Sequence, residues 1–252
     1  MLAQMYEDEA IINKISEIED WYWWYAGRRR IIIKALSLLK RERRQKVLNI
    51  GCGTGADNLG ISPFAEVYGT DYSLASLRVS QQKYNTSYFL ADATSLPIKN
   101  AIFGCAFCLD VLEHVKNPEF LLSEAKRVLV DGGSLILTVP AYQWMWTYRD
   151  ELDGHFKRYI KSELKNLLQN SGFQVDIITY FNFFCFPLAL LDFFLCNIKP
   201  ASQRNIYDYP MLPKPINSFL TELFALERFL IPRPGMFFGK SLLCVCKKNN
   251  NL

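Results

Sequence analysis

Long uncharged apolar runs are missing from this chain, and a membrane-crossing helix needs roughly 18 such residues. The nearest approach, 183–198, is broken by Pro187 and Asp192. Peripheral contact with a membrane surface is the better expectation for that segment. Metal-ligand spacing is missing from the cysteines. The seven are scattered, and the lone Cys105-x-x-Cys108 pair lies in an apolar run. On a strand, positions three apart face opposite ways, so these thiols cannot share a metal, and no metal is expected. Reduced thiols in a cytoplasmic setting, with membrane association as the variant, fit this usage. Charge of one sign is scarce too: a net +4 over 252 residues gives no reason to expect nucleic acid as a partner. Residues 1–10 carry three acidic side chains and no apolar centre, so no secretory signal is expected. No internal repeat is visible, and there are only two histidines.

What is present is apolar. Half the residues are hydrophobic, enough to bury one substantial α/β core with additions or two small ones. Helical spacing runs over 5–19 and 26–41. The second stretch continues into a basic surplus, including Arg28, Arg29, Arg30, Lys34, Lys40 and Arg41, with only Glu42 as local counter-charge. That surplus reads either as a solvated helix face or as attraction to an anionic substrate or membrane. Short apolar runs at 47–50, 65–69, 87–90, 102–109, 134–139, 173–179 and 241–246 read as strands. Helices are expected between them at 74–84, at 118–130 with Asn117 as cap and Pro118 at the first position, and at 161–170 closed by Gly172. Asp131-Gly132-Gly133 reads as the stop of the second of these. Strand and helix alternate, which predicts a mostly parallel seven-stranded sheet with helices on both faces. Four segments follow: an N-terminal helical lid (1–45), the core (46–180), an apolar, proline-rich helical insertion (181–238) with helices near 184–198 and 215–230, and the last strand with the tail (239–252).

Gly51-Cys52-Gly53-Thr54-Gly55 follows the first strand and opens a helix. Without Cβ atoms this backbone can take positive φ and let a ligand approach, and the helix N-terminus offers N–H groups to an anion. About twenty residues on, Asp71 ends the second strand, where a carboxylate can accept from ribose hydroxyls. It could instead cap the helix that follows. After the third strand comes Asp92, flanked by Ala91 and Ala93, in reach of an adenine amino group. The glycines alone also satisfy a dinucleotide fingerprint, with Ala56 as the third small residue.

The longer stretches resemble a known family. Residues 47–55 (VLNIGCGTG), 68–73 (YGTDYS), 91–97 (ADATSLP), 109–115 (LDVLEHV) and 127–133 (RVLVDGG) are similar, in that order, to the motifs of the class I S-adenosylmethionine-dependent methyltransferases, in the group that includes ubiquinone and menaquinone methyltransferases. The resemblance covers 46–180. It implies a Rossmann-like sheet, S-adenosylmethionine as cofactor, and cofactor contacts at Asn49, Gly51, Cys52, Gly53, Gly55, Asp71, Tyr72, Asp92, Ala93, Leu109 and Arg28. Two positions depart from the pattern. Asn49 stands where the family has an acid that organises the turn and the cofactor's ammonium end, and Asp131 stands where proline is usual. The flanks, 23–28 (WWYAGR) and 155–159 (HFKRY), resemble a subgroup near glycan and lipid-carrier biosynthesis.

Methyl transfer from a sulfonium is an in-line displacement governed by placement. An aromatic face favours the cation, and Trp24 and Tyr25 are candidates. A hydroxyl acceptor needs a base near neutral pH, which makes His114 and His155 the candidate catalytic residues. The bland alternatives are support of the Asn117 cap for His114 and a surface salt-bridge loop for His155. The apolar insertion suggests a small or lipid-linked acceptor with an oxygen nucleophile, or else a homodimer interface. Two other functions stay open. One is an NAD-dependent oxidoreductase, disfavoured because the glycine turn comes late and no Tyr-x-x-x-Lys pair is evident. The other is a non-catalytic cofactor-binding scaffold at a membrane surface.

Overall fold

The computed structural model describes residues 9–39, 45–84, 86–198, 211–231 and 235–249. Expectations that fall on 1–8, on the basic residues at 40–44, on prolines 200, 210, 232 and 234, and on the tail at 250–252 lie outside the described residues.

Two helices lead in, α1 (Glu9–Ile18) and α2 (Trp23–Ser37). The core then alternates β1 (Lys46–Ile50), α3 (Ala56–Ile61), β2 (Glu66–Asp71), α4 (Leu74–Lys83), β3 (Ser87–Leu90), β4 (Phe103–Leu109), α5 (Pro118–Val128) and β5 (Leu129–Pro140). It continues with α6 (Tyr148–Leu152), α7 (Lys161–Asn170) and β6 (Phe173–Phe181). Two further helices, α8 (Phe186–Ile198) and α9 (Lys214–Ala225), precede β7 (Ser241–Lys248).

The seven strands form one sheet in the order β3-β2-β1-β4-β5-β7-β6, and only β7 runs antiparallel to its neighbours. This is the expected Rossmann-like sheet. Its middle is buried on both faces, as parallel strands with helical cover must be. Leu48, Ile50, Phe107, Leu135 and Leu137 are all fully buried, while β3 at the edge is largely exposed. Each fully buried side chain of this size contributes about 1.5–3 kcal/mol, so the sheet's centre carries the stability. The chain order reverses between β1 and β4, and the crevice at their carboxyl ends is where such a sheet binds ligands.

Three local expectations are corrected. Pro118 occupies the first turn of α5, but Asn117 makes no side-chain cap bond. The helix ends at Val128, and the chain enters β5 at once instead of stopping at Asp131-Gly132-Gly133. Gly132, at φ +70°, sits in an irregularity where pairing moves from Phe103 with Leu129 to Cys105 with Ser134. The sheet absorbs these residues because neighbouring β4 supplies the pairing partners that sequence periodicity cannot show. Finally, the start of the basic run on α2 is not a solvated face: Arg28 and Arg29 are largely buried, and Arg30 pairs at the surface. Arg28 pairs with Asp57 and Asp110, Arg29 with Asp57 and Arg30 with Glu222. These partners come from distant elements. All seven cysteines are buried and unbridged.

The second insertion helix, α9, docks on α2. Gly27 lets α2 approach α9, since a Cβ there would lie 2.5 Å from Phe224 Cδ1. Trp24 stacks on Phe224 at 5.3 Å between ring centres. Asn217 ties α9 to the start of α2, accepting from Trp23 N and donating to the Trp21 carbonyl.

Candidate cofactor and acceptor site

Strand β1 delivers its buried residues into a turn with three positive-φ glycines. At Gly51 (φ +69°) a Cβ would lie 2.4 Å from Val111 Cγ2, so the turn after β1 and the segment after β4 touch there. Gly53 N donates to Asp71 Oδ2 at 2.8 Å, and Ser73 N donates to Asp71 Oδ1 at 2.9 Å. Asp71 therefore ties the turn to the end of β2. The cap of α4 is Ser73, whose hydroxyl accepts from Ser76 N. Gly55 (φ +87°) faces inward, with Ser80 Oγ and Tyr88 Oη 2.9 Å from where a Cβ would be.

A cavity of about 1070 Å³ opens over this turn. Of the residues predicted for the cofactor, Gly51, Cys52, Gly53, Asp71, Tyr72, Ala93, Leu109 and Arg28 line it. Asn49, Gly55 and Asp92 are not part of its wall. Asn49 is buried and donates to Asn58 Oδ1 at 2.8 Å, leaving its own Oδ1 and Asn58 Nδ2 without partners. Asp92 is exposed, and its Oδ1 accepts from Thr94 N and Thr94 Oγ1 in a local turn. Its neighbours Ala91 and Ala93 face the cavity instead. Trp24 and Tyr25 also line it, but Trp24 belongs to a three-ring cluster with Phe181 and Phe224, which makes it packing as much as wall.

Arg28 is 7% exposed and contacts Asp57 and Asp110, while its Nε has no hydrogen-bond partner. Burial works against its charge, but the two carboxylates outweigh burial and keep the guanidinium protonated. The residues present fit an adenosyl amino-acid cofactor. Nothing lies within 4 Å of a Cβ at Gly53, so the turn offers an open cradle. A buried guanidinium with an unpartnered donor suits a carboxylate.

The other end of the cavity is polar and was only partly visible in the sequence. A short 3-10 turn after β4, Leu112–His114, presents Glu113 and His114. The helix α6 begins with a capping box, Thr147 with Asp150, and the chain beyond it returns with His155 and Arg158. Asp150 is the node. Its carboxylate accepts from Arg158 Nε (2.7 Å) and Nη2 (2.9 Å), from Thr147 N (2.8 Å) and from His155 Nδ1 (2.8 Å). Burial pushes this carboxyl up, but the hydrogen bonds from His155 and Arg158 outweigh it and hold it below the usual carboxylate range. An ionised carboxylate only accepts, so His155 must donate through Nδ1, and its lone pair is on Nε2. The rings of His114 and His155 meet edge to face at 4.6 Å. Burial, then the neighbouring His155, pushes His114 down to about 3, so it is neutral. Burial, reinforced by Asp110, pushes the Glu113 carboxyl well up.

The walls between the two ends are apolar. From the insertion, Leu188, Leu191, Phe193, Ile216, Phe219 and Leu223 line the cavity. Arg149 clamps Asp192 of α8 through two bonds of 2.9 and 2.7 Å. Glu227 anchors the entry to α8, accepting from Asn182 N, Phe183 N and Phe184 N. Glu113 and Arg158 stand in the LDVLEHV and HFKRY stretches, whereas no sequence motif marks Asp150 or Glu227.

A family model described as a methyltransferase domain matches residues 23–177. An uncharacterized protein of Methanocaldococcus jannaschii is 34% identical over 141 residues, covering 52% of this chain and 54% of that one. An O-methyltransferase of Pyrenophora dematioidea is 28% identical over 115 residues, covering 42% and 43%. The chain thus spans about half the length of these curated relatives. Among solved structures, phosphoethanolamine N-methyltransferase 2 of Haemonchus contortus, in complex with phosphomonomethylethanolamine and S-adenosylhomocysteine, shares the fold. Its TM-score is 0.64 at 17% identity, over 96% of this chain and 58% of that one.

Proposed function

This chain belongs to the methyltransferase-domain family, and we propose that it methylates a hydroxyl oxygen on an apolar, small or lipid-linked acceptor, with S-adenosylmethionine as donor. The oxidoreductase alternative is overturned by the family match. One observation carries the rest: a single cavity runs from the Gly51–Gly53 turn to the Glu113–His114–His155 end, between apolar walls. When bound, the cofactor supplies an electrophilic methyl group on a sulfonium. Everything else falls to side chains of this protein.

Gly51 and Gly53 keep the turn low enough for close approach. Arg28 takes the cofactor's carboxylate, which also answers its unpartnered Nε. Asp71, with about four acceptor sites on an ionised carboxylate, accepts from ribose hydroxyls. Tyr72, Ala93 and Leu109 wall the adenine. Asn49 acts through Asn58 on α3, shaping the turn from behind. At the far end His155 Nε2 takes the acceptor's proton, and Asp150 fixes the ring that does so. The insertion selects an apolar acceptor and shields the site from water. No helix among the described residues is long and apolar enough to cross a membrane. Leu191, Phe194, Leu195 and Ile198 on α8 are exposed, which supports peripheral contact with a lipid surface where such an acceptor would reside.

Calorimetric titration tests the cofactor half. S-adenosylhomocysteine should bind the purified protein, NAD should not, and Asp71→Asn should weaken binding at least tenfold. Binding of NAD without any response to S-adenosylhomocysteine would sink the reading.

A further inference from the structure

The polar end of the cavity holds more chemistry than a lone base requires. We propose that Glu113, His114 and His155 bind one divalent transition-metal ion, on which the acceptor's oxygen sits. One potential ligand atom from each of these residues lies within 4.8 Å of the others. Bond lengths of about 2.0–2.2 Å to nitrogen and oxygen put ligand atoms roughly 3–3.5 Å apart, so small side-chain rotations close the set.

Two independent observations point to a ligand here. The first is Glu113. It is 1% exposed and lines the cavity, yet its Oε2 has no hydrogen-bond partner. A buried polar oxygen in that position is costly unless a donor or a cation meets it. The second is the support behind the rings. Metal-bound histidines characteristically donate their other N–H to a carboxylate or a backbone carbonyl, which fixes ring and tautomer. His155 does the first, through Nδ1 to Asp150. His114 does the second, to the backbone of Asp153. Asp150 is itself held by Arg158 and Thr147, so the outer shell is rigid.

The ligand set narrows the ion. Two imidazole nitrogens and one carboxylate oxygen suit manganese, iron, cobalt or zinc better than magnesium or calcium, which favour all-oxygen sites. Three protein ligands leave coordination positions for the acceptor. A hydroxyl bound there becomes more acidic and loses its proton to water. With the ion bound, His155 Nε2 is a ligand and the ion activates the hydroxyl; the general-base role of His155 belongs to the metal-free site. The consequence for catalysis rests on the methyl-transfer reading, but metal binding does not. The sequence hides this cluster because Glu113-His114 and His155 are remote along the chain.

The experiment uses the full chain, stripped with chelator, without cofactor or acceptor. Manganese(II) is added and followed by calorimetry and by the loss of free-ion electron paramagnetic resonance signal. One equivalent should bind, and Glu113→Gln and His155→Gln should each weaken it at least tenfold while S-adenosylhomocysteine binding persists. The chain has only two histidines, so a second measurement needs no variant: substoichiometric manganese should broaden both imidazole resonances together. Absence of stoichiometric binding, equal affinity in the folded variants, or broadening of neither or only one imidazole would overturn the proposal. Persistence of S-adenosylhomocysteine binding in that case would leave the cofactor assignment standing on its own.

Discussion

Neutralising Asp150 removes the one counter-charge that the buried Arg158 guanidinium touches through two nitrogens. The Asp150 side chain is 1% exposed and that of Arg158 8%, so water cannot replace the lost partner. Breaking one side of such a buried pair costs about 3–5 kcal/mol. In Asp150→Asn the amide also turns an acceptor into a donor against Arg158 or Thr147 N. Against a total domain stability of about 5–15 kcal/mol, the loss is about a fifth or more. Urea unfolding at pH 7, followed by far-ultraviolet circular dichroism, reads it directly. The double variant Asp150→Asn/Arg158→Met removes both charges and should recover at least about 2 kcal/mol relative to additivity, as contacting pairs do. Acid adds a second readout. The folded carboxyl titrates below its ordinary value of 3.8, so the unfolded chain binds the proton first. Stability from Asp150 is therefore present above pH 3.8 and drains away as pH falls below it. Wild type and Asp150→Asn should converge in acid. A loss under about 1 kcal/mol at pH 7, or curves that stay parallel into acid, would refute the claim that this carboxylate is the node of the polar end.

Two further predictions concern the turn and the insertion. Gly51→Ala meets both a positive φ, costing about 1–2 kcal/mol, and Val111 Cγ2 at 2.4 Å; Gly53→Ala meets only the first. Thermal melts should rank Gly51→Ala as clearly the less stable, Val111→Ala should narrow the gap, and equal melts would contradict the close approach of Val111 to the turn. Glu227, fully buried, has its carboxyl pushed up to about 7, burial outweighing its three backbone N–H donors. The folded state thus holds a proton that the unfolded chain has released, and stability falls as pH rises from 4.5 to 7, by up to about 3 kcal/mol. Glu227→Gln should remove that slope, and a pH-independent difference between variant and wild type would count against it.

Local chemistry made much of the core legible. Alternating apolar runs and caps located all seven strands and most helices, because buried parallel strands must be continuously apolar whatever surrounds them. The glycines after β1 were legible because their positive φ is a local backbone requirement, and the motif order, by its resemblance to a known family, pointed to the cofactor end. Boundaries failed where a partner strand decided them, as at Leu129–Gly133. The present surroundings of some motif residues are likewise set by distant partners. Asn49, Gly55 and Asp92 stand in the motifs, yet their side chains or surfaces turn to Asn58, Ser80 and Thr94.

By itself, then, the chain determined its sheet and its glycine turn, since these depend on neighbours along the backbone, while the cofactor was implied by the resemblance of its ordered motifs. Tertiary structure alone decided the rest. It buried Arg28 between Asp57 and Asp110, set Asp150 under His155, and left the Glu113 oxygen unpartnered beside both histidines. Charges and lone pairs act through space over a few ångströms, and sequence separation carries no record of that distance.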